Sequence, residues 1–135
     1  MLKFALKLDG IASGALGLLA LLIRPAVGYP QAFLIGIGAF LVCYGTFAFW
    51  LGTRPSPDRR LVLLVIVGNA LWVADSVVAL EWFPLNGWGV ALTIAQALAV
   101  AGFITLQIIG LRRFNSSASG SARGTRPRSP HPAAP

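Results

Sequence analysis

The side chains able to do chemistry inside the apolar part of the chain gather mostly in one stretch, Gly68-Asn69-Ala70-Leu71-Trp72-Val73-Ala74-Asp75-Ser76. From Asn69 to Ser76, an amide, an indole, a carboxylate and a hydroxyl fall within eight residues. On a helix, Gly68, Asn69, Trp72, Asp75 and Ser76 share an arc of about 120°, with Leu63, Val67 and Val78 on the opposite face. Such groups are costly in a bilayer, so the arc is expected to face protein or water rather than lipid. An ionised Asp at the centre of a spanning helix costs about 2.5–3.5 kcal/mol on insertion scales. Protonation or a hydrogen-bond partner would lower that cost.

The last apolar run offers partners. Asp75 lies seven residues from Trp82 and Gln96 eight from Trp88. At a rise of about 1.5 Å per residue both sit roughly 10 Å below the same boundary. Thr93 is one turn above Gln96, so a hydrogen-bonded cluster of Asp75, Thr93 and Gln96 is the expectation. Asn69 lies deeper, near the level of Ser13 and Gly14. Two roles fit. One is a polar clamp between helices, where an interhelical bond averages about 0.6 kcal/mol. The other is a proton or cation site, or the polar floor of an outward-facing cavity. A single carboxylate weights the clamp.

The remaining reactive side chains point elsewhere. Asp9 is one turn inside Lys3 and Lys7, and is expected at the water boundary, capping its helix or pairing with a base. Cys43 is the single cysteine, so no intrachain disulfide forms; near mid-bilayer it reads as a small buried hydrophobe. His131 is the single histidine and stands between two prolines near the end of the chain. No His lies within the apolar runs, which argues against haem ligation and most metal sites. There is no nucleophile–base pair and no phosphate loop, and Asp75 and Glu81 fall on different sides of their helix. No enzymatic activity, cofactor or metal is expected.

Four long apolar runs position these residues. The chain of 135 residues is 56% hydrophobic and 11% charged, with mean hydropathy +0.76. Soluble domains carry about 25% charged residues, so lipid is the expected solvent. The spans are expected near 4–23, 32–51, 61–80 and 89–111, each close to the length that crosses a core of about 30 Å. The first also has the basic start and apolar core of a signal peptide. Arg24-Pro25 directly after the core and Asp9 at its edge favour a retained first span. Gly10, Ser13, Gly14 and Gly17 form a strip of small residues on that span, as Ala32, Gly36, Gly38 and Gly45 do on the second and Ala91, Ala95, Ala99 and Gly102 on the fourth. Small residues at such spacings let helices approach closely in lipid. Pro and Gly punctuate the 24–30 connection. Asp58 is placed to cap the third helix, while Trp82, Phe83 and Trp88 form an aromatic belt. Residues 115–135 are Ser, Gly, Ala, Pro and Arg and cannot build a core, so a disordered basic tail is expected. Asn115-Ser116-Ser117 matches a glycosylation acceptor, a frequent chance match.

Charge sets the orientation. An even number of spans places the N-terminus, the 52–60 connection and the C-terminus on one side. That side holds ten of the eleven Lys and Arg residues, leaving only Arg24 on the other. The bias predicts a multi-pass cell-membrane protein with both termini cytoplasmic. It also accounts for the net charge of +7 through anionic headgroups rather than nucleic acid.

Lys7-Leu8-Asp9-Gly10-Ile11-Ala12-Ser13-Gly14, Asn69-Ala70-Leu71-Trp72, Gln96-Ala97-Leu98 and the stretch from Gln107 to Arg113 resemble the small four-helix integral membrane proteins of high-GC bacteria. The architecture is also similar to that of DoxX-like four-helix proteins. The resemblance implies the fold and a bacterial inner-membrane location, and no activity or site residue. The halves 1–51 and 61–111 share a plan, with Asp9 and Asn69 at an offset of 60. The expectation is an all-α, four-transmembrane-helix bundle, non-enzymatic, packing through its Gly/Ala faces with itself or a membrane partner protein. The competing expectation is a small proton-coupled carrier using Asp75.

Overall fold

A computed structural model describes residues 1–22 and 27–123. Arg24, His131 and the rest of 124–135 lie outside the described residues. The described chain forms α1 (Leu2–Leu22), α2 (Gln31–Thr53), α3 (Arg59–Trp82) and α4 (Gly87–Arg123). All four are long and apolar enough to cross a membrane. Each starts one or two residues before the expected span, and capping bonds hold the starts of α3 and α4. The Asp58 carboxylate accepts from the Arg60 backbone N–H at 2.7 Å, and Asn86 Oδ1 accepts from the Gly89 N–H at 2.9 Å. Both satisfy donors that a helix start leaves open.

The helices run alternately up and down. α1 and α2 pack most extensively, backbone against backbone. A Cβ at Gly10 would lie 2.6 Å from the Gly45 carbonyl oxygen, and one at Gly17 would lie 2.7 Å from that of Gly38. Gly52 continues the seam against the Lys3 carbonyl. The strips of small residues therefore work inside the fold, where dispersion from close backbones replaces the hydrophobic drive that lipid removes. Gly14 adds its backbone to the seam, its N 2.6 Å from a Cβ built at Gly45, whereas Gly36, which the pattern also included, meets nothing. α4 packs between α1 and α3, with Leu2 against Gly110. α2 and α3 barely touch, so the bundle is loose along that seam.

Leu2, Leu6, Leu51, Val62, Val65 and Leu111 form the apolar core at the end that carries the N-terminus. The opposite end is closed by the connections. Gly28 takes φ +91°, a conformation that favours glycine, and a Cβ there would lie 2.7 Å from the Pro84 oxygen. Phe4, Leu22, Leu71 and Leu98 stay exposed on the outer surface, as a bundle solvated by lipid requires. Trp82 and Trp88 are exposed at one end, and at the other the Arg54 guanidinium lies 4.0 Å over the Trp50 ring.

α4 runs on past 111, the expected end of the fourth span, to Arg123. Ser116, Ser117 and Ser119 hydroxyls donate to carbonyls four residues back, so this turn-by-turn extension is local and buries no core. Cys43 is exposed on the outer face of α2 rather than buried, because Gly38, Leu41 and Gly45 occupy the inward face.

Candidate functional site

The most connected polar group is Asp9, and the structure corrects its expected place at the water boundary. Its side chain is fully buried. Asn69 Nδ2 and Gln107 Nε2 each donate to Asp9 Oδ2 at 2.7 Å. Ser13 Oγ donates to Oδ1 at 3.2 Å from the next turn of α1. The Tyr44 hydroxyl donates to Asn69 Oδ1 at 2.8 Å and also lies 3.5 Å from Asp9 Oδ2. One carboxylate thus links side chains from every helix. Among the described residues Tyr44 makes the side-chain hydrogen bonds that cross the loose seam between α2 and α3, also reaching the Val65 carbonyl at 3.3 Å.

Each residue of this node is placed by ordinary helix geometry. Asp9 and Ser13 are four apart and so share a face, next to Gly10, whose missing side chain draws α2 close. The oxygens of Asp9 are met by neutral donors and by no cation among the described residues. No buried side-chain N or O lacks a partner among the described residues, which is the condition under which a buried polar network supports a fold rather than loosening it. The apolar cluster of Leu2, Leu6, Leu51, Val62, Val65 and Leu111 separates the node from the end of the bundle that carries the N-terminus.

Above the node, the loose seam leaves two cavities. The inner one, about 420 Å³, is bordered by Ser13, Tyr44 and Asn69 of the node and by Phe40, Phe47 and Phe103. The outer one, about 390 Å³, is walled by Phe33, Trp72, Trp82 and Phe83, with Asp75 and Gln96 among its few polar groups. Trp72 and Gln96 border both cavities, and Trp72 Nε1 donates to Gln96 Oε1 at 3.3 Å, a polar partition between them. Tyr29, Phe33 and Phe83 close the outer end, their ring centroids 4.9 to 5.3 Å apart.

The residues singled out in the sequence separate into three places. Asn69 joins the Asp9 node. Trp72 and Gln96 pair with each other. Thr93 and Ser76 are buried and hold local bonds: Thr93 Oγ1 to the Gly89 carbonyl at 2.7 Å and to the Tyr29 hydroxyl at 2.8 Å, Ser76 Oγ to the Trp72 carbonyl at 2.8 Å. Asp75 borders the outer cavity, its side chain is exposed, and it forms no hydrogen bond with Thr93 or Gln96. The expected Asp75–Thr93–Gln96 cluster is therefore not formed.

Sequence reasoning gave Asp9 the wrong environment and passed over Tyr44. A depth count would have found Asp9: it is seven residues past Leu2, about 10 Å into the helix. The offset that paired Asp9 with Asn69 was a further signal, since the two side chains are bonded. Tyr44 had no signal beyond a hydroxyl within an apolar run.

Among the described residues no three His, Cys, Asp or Glu gather as a metal site. Comparison with known proteins yields no match to a family model, a curated protein or a solved structure.

Proposed function

We propose that this chain is a non-enzymatic, multi-pass membrane protein that holds a small amphipathic molecule in the outer half of its bundle. The observation that carries the reading is the outer cavity. It is concave, aromatic and apolar, with a few polar groups converging on it, the usual character of small-molecule sites. Its volume of about 390 Å³ is within the range that such sites span. The Asp9 node then acts as the rigid floor beneath the two cavities, tying the four helices so that the α2–α3 seam can stay open above it.

The proposed setting is a bacterial inner membrane with both termini in the cytoplasm. Lys3, Lys7, Arg54, Arg59, Arg60, Arg112 and Arg113 lie at one end of the bundle, and that asymmetry supports the orientation. The alternative, an accessory subunit that packs on a partner, draws support from Ala91, Ala95 and Gly102, which are exposed along α4. Gly10, Gly17, Gly38, Gly45 and Gly52 do not serve it, since their close approaches lie within the chain.

Filling the cavity tests the proposal. Ala79 borders it, and Ala79→Trp is expected to abolish saturable binding of triphenylphosphine oxide, a neutral amphipathic probe, in equilibrium dialysis of the detergent-solubilised protein. Undiminished binding by a folded Ala79→Trp variant would refute it.

A further inference from the structure

The outer cavity joins three features that together define a ligand class. Its walls include the rings of Trp72, Trp82 and Phe83. Asp75 is its single carboxylate, exposed and without a hydrogen bond among the described residues. The described basic side chains, Lys3, Lys7, Arg54, Arg59, Arg60, Arg112 and Arg113, all belong to the opposite end of the bundle, so none neutralises it. An isolated carboxylate in an apolar setting is costly unless a cation accompanies it.

We infer that the outer cavity binds a lipophilic organic cation, with Asp75 as counter-ion and the Trp72, Trp82 and Phe83 rings as its wall. Aromatic faces attract a cation through the ring quadrupole, most strongly when both are desolvated. A delocalised or quaternary cation carries the weakest hydration and gives up least on entering such a space. A strongly hydrated metal ion would need several oxygen ligands, and only one carboxylate is present. The other polar groups at the cavity are already engaged: Ser76 and Thr93 hold their own turns, and Gln96 Oε1 accepts from Trp72. They leave Asp75 as the group that sets ligand charge. The inference rests on the cavity being a binding site, as proposed above.

A matched pair of probes tests it: the methyltriphenylphosphonium cation and neutral triphenylphosphine oxide, similar in bulk and differing in charge. By equilibrium dialysis against the full chain in detergent, the cation is expected to bind at least about tenfold more tightly, equivalent to about 1.4 kcal/mol. Asp75→Asn is expected to erase that preference. Because Asp75 makes no hydrogen bond among the described residues, this variant should keep the wild-type unfolding temperature. Glu81→Gln, a charge removed at the same end outside the cavity, is expected to keep the preference. Equal binding of both probes to the wild type, as for a cavity that takes only lipid tails, would overturn the inference yet leave the binding site standing. A preference surviving Asp75→Asn would overturn it too. Binding of neither probe, or binding unaffected by Ala79→Trp, would remove the underlying reading as well.

Discussion

Removing the Asp9 carboxylate should unlock the bundle. Asp9→Ala strips the shared acceptor from Asn69, Gln107 and Ser13 at once, in a place with no access to water. Interhelical hydrogen bonds in membranes are worth about 0.6 kcal/mol on average and about 1.7 at most, so the Asn69 and Gln107 bonds together account for roughly 1–3 kcal/mol. A buried donor left without a partner adds about 1–3 kcal/mol, giving a loss of roughly 2–6 kcal/mol overall. Asp9→Asn keeps an oxygen where Asn69 and Gln107 donate and forces only Ser13 to reverse its hydroxyl, so a loss of about 1 kcal/mol is expected. Equilibrium unfolding in mixed micelles, followed by circular dichroism, reads both variants. The order wild type, Asp9→Asn, Asp9→Ala is the expected one. An Asp9→Ala variant within about 0.5 kcal/mol of the wild type, the range of ordinary surface substitutions, would refute the node as a four-helix tie.

Other perturbations follow from single contacts. Gly45→Ala puts a methyl group 2.6 Å from the Gly10 oxygen and should cost about 1–3 kcal/mol as an overpacked seam, whereas Gly36→Ala, which meets nothing, should be neutral in the same unfolding assay. Gly28→Ala forces an L side chain into φ +91° and should cost at least about 1–2 kcal/mol, read as a lowered unfolding temperature. Cys43, exposed midway along α2, should react in intact vesicles with a lipid-soluble maleimide and not with a charged one; labelling by the charged reagent would place it in water.

The sequence and the structure agree where hydropathy acts alone. Four apolar runs, separated by Pro, Gly and charge, give four helices because the bilayer-length pattern needs no tertiary information. The Asp58 cap was legible for the same reason, being local. Which strip meets which neighbour was not. Gly36 and Gly38 both belong to the strip on α2, yet Gly38 lies against Gly17 and Gly36 meets nothing, since the crossing of two helices decides it. Asp9 shows the limit most clearly. Its closeness to Lys3 and Lys7 in the chain pointed to water, while helix geometry turned it inward and four-helix packing supplied partners from residues 69 and 107. Asp75 is the converse: its level was matched to Gln96, but Gln96 pairs with Trp72 instead, so the carboxylate is left at the cavity.

Photolabelling with benzophenone, a neutral apolar probe that inserts into nearby C–H bonds, tests the cavity most directly. Adducts mapped by mass spectrometry should concentrate on cavity-wall residues such as Trp72, Ala79 and Phe83, saturate with probe concentration and fall when triphenylphosphine oxide competes. Adducts spread without saturation over the outward residues Phe4, Leu71 and Leu98 would contradict a binding site in the outer half of the bundle.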